Sequence, residues 1–176
     1  MRAAAIALVI VLAGALAALW WYSRPAAAEV DVYFVRSTLA GDTVVPVSRT
    51  VSIPRLPGMG SPQGAAVRAA LQALLDGPTT VERARGLGTE IPEGTRLLGL
   101  RIAGGIVYAD FSADVESGGG SASMLGRLWQ IVYTATQDSL APRVRILIAG
   151  QERPAMGGEG VIIDHPLSRP AQPPNF

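Results

Sequence analysis

The sequence lacks two residue types that carry much of protein chemistry, cysteine and lysine. Without cysteine, the chain forms no disulfide, no thiol nucleophile and no zinc–thiolate centre, and it offers no cysteine for lipidation. All 15 basic residues are arginine, which also excludes a Schiff-base lysine and the lysine of a phosphate-binding P-loop. The protein therefore cannot use a thiolate or an amine side chain in catalysis or metal binding.

Histidine is almost as scarce, because His165 is the only one. A single imidazole excludes a histidine-rich metal site, and we expect neither a metal ion nor any other cofactor. A serine triad would have to combine His165 with Ser112, Ser121 or Ser123. None of these serines lies in a nucleophile-elbow sequence, so this arrangement is disfavoured.

Carboxylates are the remaining candidates for acid–base chemistry. Asp110 could pair with Asp114 or Glu116, although carboxylates beside a loop more often cap a helix or face solvent. We therefore predict no catalytic residues. The formal net charge of +1 also argues against nucleic acid as a partner, because nucleic-acid surfaces are strongly basic.

The N-terminal segment contains the one long apolar run. Residues 3–22 carry no charge and match the roughly 20 residues that cross a bilayer, with Trp20, Trp21 and Tyr22 at one end. Two interpretations remain open, an uncleaved membrane anchor and a signal peptide cleaved after the alanines 26–28. Both place the rest of the chain outside the cytoplasm, so residues 1–28 are predicted to be a leader or anchor with a short linker.

The remaining chain mixes strands and helices without strict alternation, which is typical of the α+β class. We predict one domain over residues 29–165, with a single mixed sheet and two helices packed on one of its faces. A proline-rich tail, 166–176, is expected to have little fixed structure. Strands are predicted at 30–35, 44–53, 97–103, 106–112, 144–148 and 161–163, helices at 61–77 and 121–137, and one helical turn near 81–86.

Gly104 and Gly105 separate two strand-like runs and predict a two-residue β-hairpin. The register places Leu98 opposite Phe111 on the core face. It places Arg101, Tyr108 and Asp110 together on the other face. Such a trio is more often an ordinary solvated surface, but it is also a candidate binding patch.

A second candidate is the glycine loop, Gly118, Gly119 and Gly120, which is followed by Ser121 at the predicted start of a helix. Free amides at a helix N-terminus can bind an anion, and Ser121 is placed to cap the helix. No Gly-Lys-Ser/Thr sequence follows, and the spacing is not that of a dinucleotide fingerprint. Close packing of the helix onto the sheet is the simpler interpretation.

Several short stretches, each common by itself, occur in an order that resembles the GerMN domain of sporulation and spore-germination proteins. The resemblance covers about residues 29–170. It is carried by the stretches 74–79, 86–87, 91–95, 107–112, 118–121 and 157–160.

This resemblance implies an exported α+β domain that is similar to the ring-building motifs of secretion-type assemblies. GerMN domains are membrane-attached modules of envelope assembly, and the family has no established catalytic residues to transfer. The chain departs from lipoprotein members because it has no cysteine to acylate, and it contains one copy of the domain. A role in sporulation itself is therefore not implied.

We accordingly expect a non-catalytic cell-envelope module, anchored through residues 3–22, that binds envelope proteins or itself. The predicted edge strand 44–53 is a surface for such pairing. The alternative is a domain that binds an anionic glycan or peptidoglycan fragment, using the amides of residues 118–123 together with arginine side chains.

Overall fold

The computed structural model describes residues 2–53, 61–138, 140–157 and 160–176. Residues 54–60, which the sequence predicts to be a loop, and two residues of the stretch 157–160 lie outside these ranges. The described residues form four helices: α1 (Arg2–Ser23), α2 (Pro62–Leu75), α3 (Thr80–Ala84) and α4 (Ser121–Ala135), with a 3-10 helix at Ala113–Glu116. The strands are β1 (Ala26–Thr38), β2 (Gly41–Ile53), β3 (Leu87–Gly88), β4 (Leu97–Ala103), β5 (Ile106–Phe111), β6 (Arg143–Ile148), β7 (Gln151–Glu152), β8 (Ala155–Met156), β9 (Val161–Ile162) and β10 (Leu167–Ser168).

A long antiparallel ribbon, β1 with β2, forms most of the first sheet, whose strand order is β2-β1-β3. The strand β2 lies at the edge, as Pro46 predicts. Pro46 is opposite Tyr33, whose own N–H and carbonyl bond to α4 instead of β2. The missing N–H of Pro46 therefore costs the ladder nothing. The ribbon is longer than predicted, because β1 begins at Ala26 within the predicted linker.

The second sheet has the order β10-β6-β5-β4, with β5 and β6 parallel and the other pairs antiparallel. Gly104 and Gly105 both have positive φ, as a two-residue hairpin turn requires. The predicted pairing of Leu98 with Phe111 is wrong, because a register shift between Leu97 and Gly99 puts Leu97 opposite Phe111. Leu98 is consequently exposed.

The α+β class and the mixed sheet are confirmed, but the prediction of a single sheet is wrong. The described strands divide between the two main sheets and a small β8–β9 hairpin. The helices α2 and α4 both contact β1, and α2 also contacts β4 while α4 contacts β6. One core therefore joins the two sheets through the helices. Its largest fully buried apolar side chains are Phe34, Phe111, Leu71, Leu74, Ile131, Ile146, Ile148, Met156 and Ile163.

The helix α2 begins as its sequence predicts, because the hydroxyl of Ser61 accepts from the amide of Gly64 at 3.1 Å and Pro62 occupies the first turn. The predicted turn near 81–86 is the short helix α3, closed by a capping box between Thr79 and Glu82. Glu82 also pairs with Arg49 of β2. This ion pair ties the ribbon to α3.

The spacing of Arg127, Gln130, Thr134 and Gln137 predicts that they line the side of the helix opposite its apolar residues. In the structure this polar side faces neighbouring segments of the protein, and Gln137 lies just beyond the C-terminal end of α4. Arg127 is 3% exposed, and Gln130 and Thr134 are fully buried. The four residues, hereafter the α4 polar stripe, all bond to backbone groups of other segments. Three of them are buried and Gln137 is half-buried, and they supply partners to backbone groups that would otherwise lack a hydrogen bond.

Most of these hydrogen bonds involve the backbone of two β1 residues, Tyr33 and Asp31. Thr134 Oγ1 accepts from the amide of Tyr33 at 3.1 Å, and Gln130 Nε2 donates to the Tyr33 carbonyl at 3.1 Å. Gln137 accepts from the amide of Asp31 at 2.8 Å and donates to its carbonyl at 3.1 Å. The α4 polar stripe thus occupies the edge of β1 that would otherwise need a partner strand.

The C-terminal segment is ordered against the domain, which corrects the prediction of a tail with little fixed structure. The strand β10 pairs with β6, and Arg169 lies over the rings of Tyr33 and Tyr133. The hydroxyl of Tyr133 donates to the Pro170 carbonyl at 2.8 Å, and Phe176 pairs with Asp42 through both backbone groups. The prolines do not prevent this docking, because their carbonyls still accept hydrogen bonds.

The helix α1 covers 22 residues and is followed directly by β1. In the described part of the chain, no helix meets the combined length and hydropathy needed to cross a membrane.

Replacing Gln130 by leucine should lower the free energy of unfolding, because the Tyr33 carbonyl and the Glu90 amide lose the partner they have in the side-chain amide. Each buried group left unsatisfied costs about 1–3 kcal/mol. Urea unfolding monitored by circular dichroism measures the loss. The matched control is Gln63→Leu at an exposed position of α2, which should change stability little. Equal effects of the two substitutions would contradict the role of Gln130.

The Arg49–Glu82 pair should make stability depend on acid pH. Burial by itself raises the pKa of Glu82, but bonds from Arg49 and Thr79 outweigh it and hold the pKa below its ordinary value of 4.5. The contribution of ionised Glu82 is therefore full above pH 4.5 and is lost as the pH falls through the lowered pKa.

Glu82→Gln should consequently lower the Tm at pH 7 by about 2–4 °C, equivalent to about 1 kcal/mol. The difference between this variant and the wild type should shrink below pH 4.5, which thermal melts across pH 3–7 can follow. Glu93→Gln, at an exposed position, is the control. A difference that stays constant with pH would count against the ion pair.

Candidate functional site

The hairpin trio is only partly brought together. The guanidinium of Arg101 lies 3.5 Å from the ring centroid of Tyr108, directly across the β4–β5 pair. Asp110 instead accepts from the amide of Gly150 at 2.8 Å and so fixes the turn after β6. Sequence reasoning missed Arg145, which lies beside Tyr108 on β6 and forms an ion pair with β7. The alternating arginines of β6 are the signal that places Arg145 on this face.

The glycine loop adopts backbone angles that its sequence predicts. Gly118 and Gly119 have φ of 62° and 80°, a region that favours glycine. The helix α4 is capped differently from the prediction: Gly120 is the N-cap residue, and no side chain caps the helix. Ser121 is the first helical residue and not the cap, because the extended conformation that a cap requires falls on Gly120.

The buried side chain of Arg127 stabilises this loop through hydrogen bonds to backbone carbonyls. Arg127 donates to the carbonyls of Glu90 at 2.8 Å, Val115 at 3.0 Å and Gly118 at 2.7 Å. Burial lowers the pKa of Arg127, and the negative charge of Glu90 opposes that shift. An arginine stays protonated at neutral pH regardless. Arg127 is the most important residue here that the sequence analysis left out of the site, and its place in the α4 polar stripe is the signal that identifies it.

Position 119 requires glycine both because of its positive φ and because a side chain there would clash with its neighbours. A Cβ atom there would lie 2.5 Å from Ser123 Oγ and 2.7 Å from Arg127 Nη2. Ser123 Oγ also donates to Glu90 at 2.5 Å. Any larger residue at position 119 would therefore disturb the arginine and its partners together. The loop is a tightly packed junction between α4 and the segments around it.

The outer side of the loop borders a groove of about 800 Å³, here called the loop groove. Of the side chains that line its described part, most are apolar, and none is an arginine. The arginine nearest the loop, Arg127, is instead bonded to backbone carbonyls within the protein. The predicted anion site at Gly118–Ser121 thus stays a prediction, and only backbone amides and Ser121 are available to it. The lining residues are Gly119, Gly120, Ser121, Met124, Leu125, Gly157, Gly160, Val161 and Ile162.

The carboxylates considered for acid–base chemistry have structural partners. Besides Asp110, Asp114 accepts from the hydroxyl of Ser112 at 2.8 Å, and Glu116 accepts from the amide of Gly157 at 3.0 Å. His165 is exposed and contacts the neighbouring Asp164. Within the described ranges, no three histidine, aspartate or glutamate residues cluster as metal ligands would.

A second groove, of about 830 Å³, lies between α2 and the open edge of β4 and is here called the edge groove. Arg68 of α2 reaches across it and donates to the Leu100 carbonyl at 3.3 Å. The end of β2 borders its other side. The residues that line it are Val51, Ser52, Ser61, Gly64, Ala65, Arg68, Ala69, Gln72, Ala73, Asp76, Leu100, Arg101 and Ile102.

Solved structures share this fold. The chain is similar to the tandem GerMN domains of the sporulation protein GerM from Bacillus subtilis, with 24% identity and a TM-score of 0.63 over 84% of this chain and 47% of that one. It thus spans about half the length of the tandem protein. The first GerMN domain of the same protein matches over 81% of this chain and 98% of that one, with 21% identity and a TM-score of 0.58.

A putative lipoprotein from Clostridium perfringens matches with 19% identity and a TM-score of 0.55, over 81% of this chain and 88% of that one. No curated protein matches the sequence. A family model does match, and it covers residues 31–154, which is most of the domain. The predicted GerMN resemblance is therefore confirmed, and the chain belongs to the Germane family, described as sporulation and spore germination.

Proposed function

We propose that this protein is a non-catalytic module of the cell envelope that assembles with other envelope proteins or with copies of itself. Membership of a sporulation and germination family supports an envelope role. The similarity to a putative lipoprotein agrees with it. The geometry adds a surface through which assembly can occur.

The outer edge of β2, which has no partner strand among the residues that the structure describes, is the observation that carries this proposal. Asp42 pairs through its N–H and carbonyl with Phe176, so both groups point away from β1. Because backbone groups alternate along an antiparallel strand, the same outward direction recurs at every second residue, including Ser48 and Thr50. Unpaired outward groups on a long edge strand are a template for pairing with another chain.

The absence of catalysis is part of the proposal and rests on how reactive groups are used. Ser112 and Ser123 donate to carboxylates, and Asp110 and Glu116 accept from backbone amides. Each group stabilises the fold in its present position. None is oriented by a neighbouring base in the way that a nucleophile requires.

We further propose that the apolar residues 3–22 are retained as a membrane anchor that holds the domain outside the cytoplasm. The alanines 26–28, the alternative cleavage site, are the first residues of β1 and pair with Val51, Ser52 and Ile53. Cleavage after Ala28 would remove this end of the ribbon. Retention is therefore the arrangement that preserves the whole ladder.

The assembly proposal predicts a specific effect of proline on β2. The full chain, purified in detergent, should form oligomers or capture an envelope partner, as measured by light scattering and pull-down. Thr50→Pro should weaken that association at least about tenfold, because it removes an outward N–H without breaking the β1 ladder. Thr50→Ala keeps the N–H and is the matched control.

A strictly monomeric full chain that captures no envelope protein would contradict the assembly proposal. Recovery on purified cell wall without any protein partner would favour the glycan alternative instead. Equal effects of Thr50→Pro and Thr50→Ala would show that the β2 edge is not the contact.

Retention of the anchor predicts the size and location of the mature protein. Intact mass measurement on the native protein should find residues 3–22 still attached, and the protein should remain in the membrane fraction after a high-salt wash. The matched comparison is a variant in which Ala26 and Ala28 are both replaced by arginine, which blocks cleavage. A mass difference that equals the two substitutions alone supports retention, whereas a native N-terminus at Glu29 in the soluble fraction would contradict it.

A further inference from the structure

The edge groove combines an open strand edge with a helix that leaves room beside it. The strand β4 is the last strand of the second sheet, so one of its edges has no partner strand among the described residues. The groove lies along that edge at Leu100, Arg101 and Ile102. Its volume of about 830 Å³ is large enough for several residues of extended chain.

The register of the hairpin determines which groups of β4 face the groove. In a two-residue hairpin the flanking pair, Ala103 with Ile106, exchanges both hydrogen bonds, and the pairing then alternates. Leu100 and Ile102 therefore direct their N–H and carbonyl groups outward. The bond from Arg68 to the Leu100 carbonyl agrees with this direction.

The floor of the groove is made of small residues, namely Gly64, Ala65, Ala69 and Ala73 of α2. Short side chains allow another backbone to approach the helix closely. On the far side the groove meets the end of β2 at Ser52, so an inserted segment would lie between the edges of the two sheets. This shape suits an extended segment and not a second helix, because the outward groups of β4 need backbone partners.

The charges of the groove indicate which side chains such a segment carries. Arg68 and Arg101 are both exposed, and Arg101 is held in place by its contact with the Tyr108 ring at 3.5 Å. Asp76 is the one carboxylate in the lining, and Gln72 donates to it at 3.3 Å. The part of the groove beside Leu100 and Arg101 is therefore cationic, because Arg68 of α2 also reaches it, and it complements carboxylate groups.

We propose that the edge groove binds an extended, acidic segment of a protein partner, which adds to β4 as a further strand. The segment bonds to the Leu100 amide and to the outward groups of Ile102, while the Leu100 carbonyl keeps its bond from Arg68. The carboxylates of the segment pair with Arg68 and Arg101. This inference rests on the proposed assembly function and names one of its contact surfaces and the chemistry of the partner.

The test uses the full chain in detergent and a fluorescein-labelled octapeptide of alternating valine and glutamate as the probe. Fluorescence anisotropy should show saturable binding that weakens as sodium chloride is raised. The same peptide with lysine in place of glutamate should bind at least about tenfold more weakly, and so should a fully N-methylated version that cannot donate backbone hydrogen bonds.

Variants locate the binding on the protein. Arg68→Glu and Arg101→Glu should each reduce affinity for the glutamate peptide at least about tenfold, while Arg83→Glu on the exposed side of α3 should leave it unchanged. Hydrogen exchange at the Leu100 and Ile102 amides should slow when the peptide is bound. Because the peptide controls leave the protein unchanged, they decide the question even if a variant folds poorly.

The inference is overturned if the glutamate peptide does not bind up to about 1 mM. Equal binding of the lysine or N-methylated peptide, or equal affinity in Arg68→Glu, also overturns it. Measuring assembly of the same variants separates the two proposals. If the full chain assembles normally and the peptide does not bind, the edge groove inference fails while the assembly function stands, and a monomeric chain that binds nothing removes both.

Discussion

The fold depends on hydrogen bonds that run to the backbone of β1 from side chains of α4 and of Gln137, just beyond its C-terminal end. Gln130, Thr134 and Gln137 bond to the N–H and carbonyl groups of Tyr33 and Asp31, all at distances of 2.8–3.1 Å. These backbone groups lie on the edge of β1 opposite β2, where only the short strand β3 pairs farther along. Buried backbone groups without partners would be costly, so a helix in this position must supply polar side chains.

This constraint explains why the strands do not join into one sheet. With α4 beside β1, the second sheet cannot extend the first, and the two sheets meet through the helices. Arg127 of the α4 polar stripe also connects α4 to the glycine loop, because its guanidinium donates to the carbonyl of Gly118. The glycine loop, which the sequence offers as a candidate anion site, therefore stabilises the N-terminus of α4.

The same arrangement leaves outer strand edges at β2 and β4, and these are the surfaces on which the functional proposals rest. The ribbon of β1 and β2 extends over 13 residues, or roughly 40 Å. Ala26 lies at one end, next to the N-terminal helix, and the hairpin turn with Leu39 fully exposed lies at the other. Under the proposal that residues 3–22 anchor the domain, one end of this ribbon would lie near the membrane and the other far from it.

Much of the fold was predictable wherever local chemistry decides the outcome. The alternation of Val144, Ile146 and Ile148 predicts β6, and the glycine pair 104–105 predicts the hairpin and most of its register. Leu98 was misplaced because the prediction assumed a regular ladder, although a glycine inside a strand, here Gly99, is a typical position for a register shift.

The α4 polar stripe and the C-terminal segment were also misjudged, because their partners lie far away in sequence. Polar spacing on a helix has the same pattern whether it faces water or the edge of a strand. The position of Arg169 between two tyrosine rings depends on the assembled fold. The candidate site was predictable in part, since Arg101 and Tyr108 meet as expected whereas Asp110 turns to Gly150.

Native-state hydrogen exchange at the amides of Asp31 and Tyr33 tests this account most directly. If side chains of α4 replace a strand at this edge, both amides should exchange as slowly as ladder amides of β1 such as that of Val32. Gln137→Ala should speed exchange at Asp31 much more than at Val32. Rapid exchange of Asp31 and Tyr33 in the wild-type protein, at the rate of open edge amides, would contradict the account.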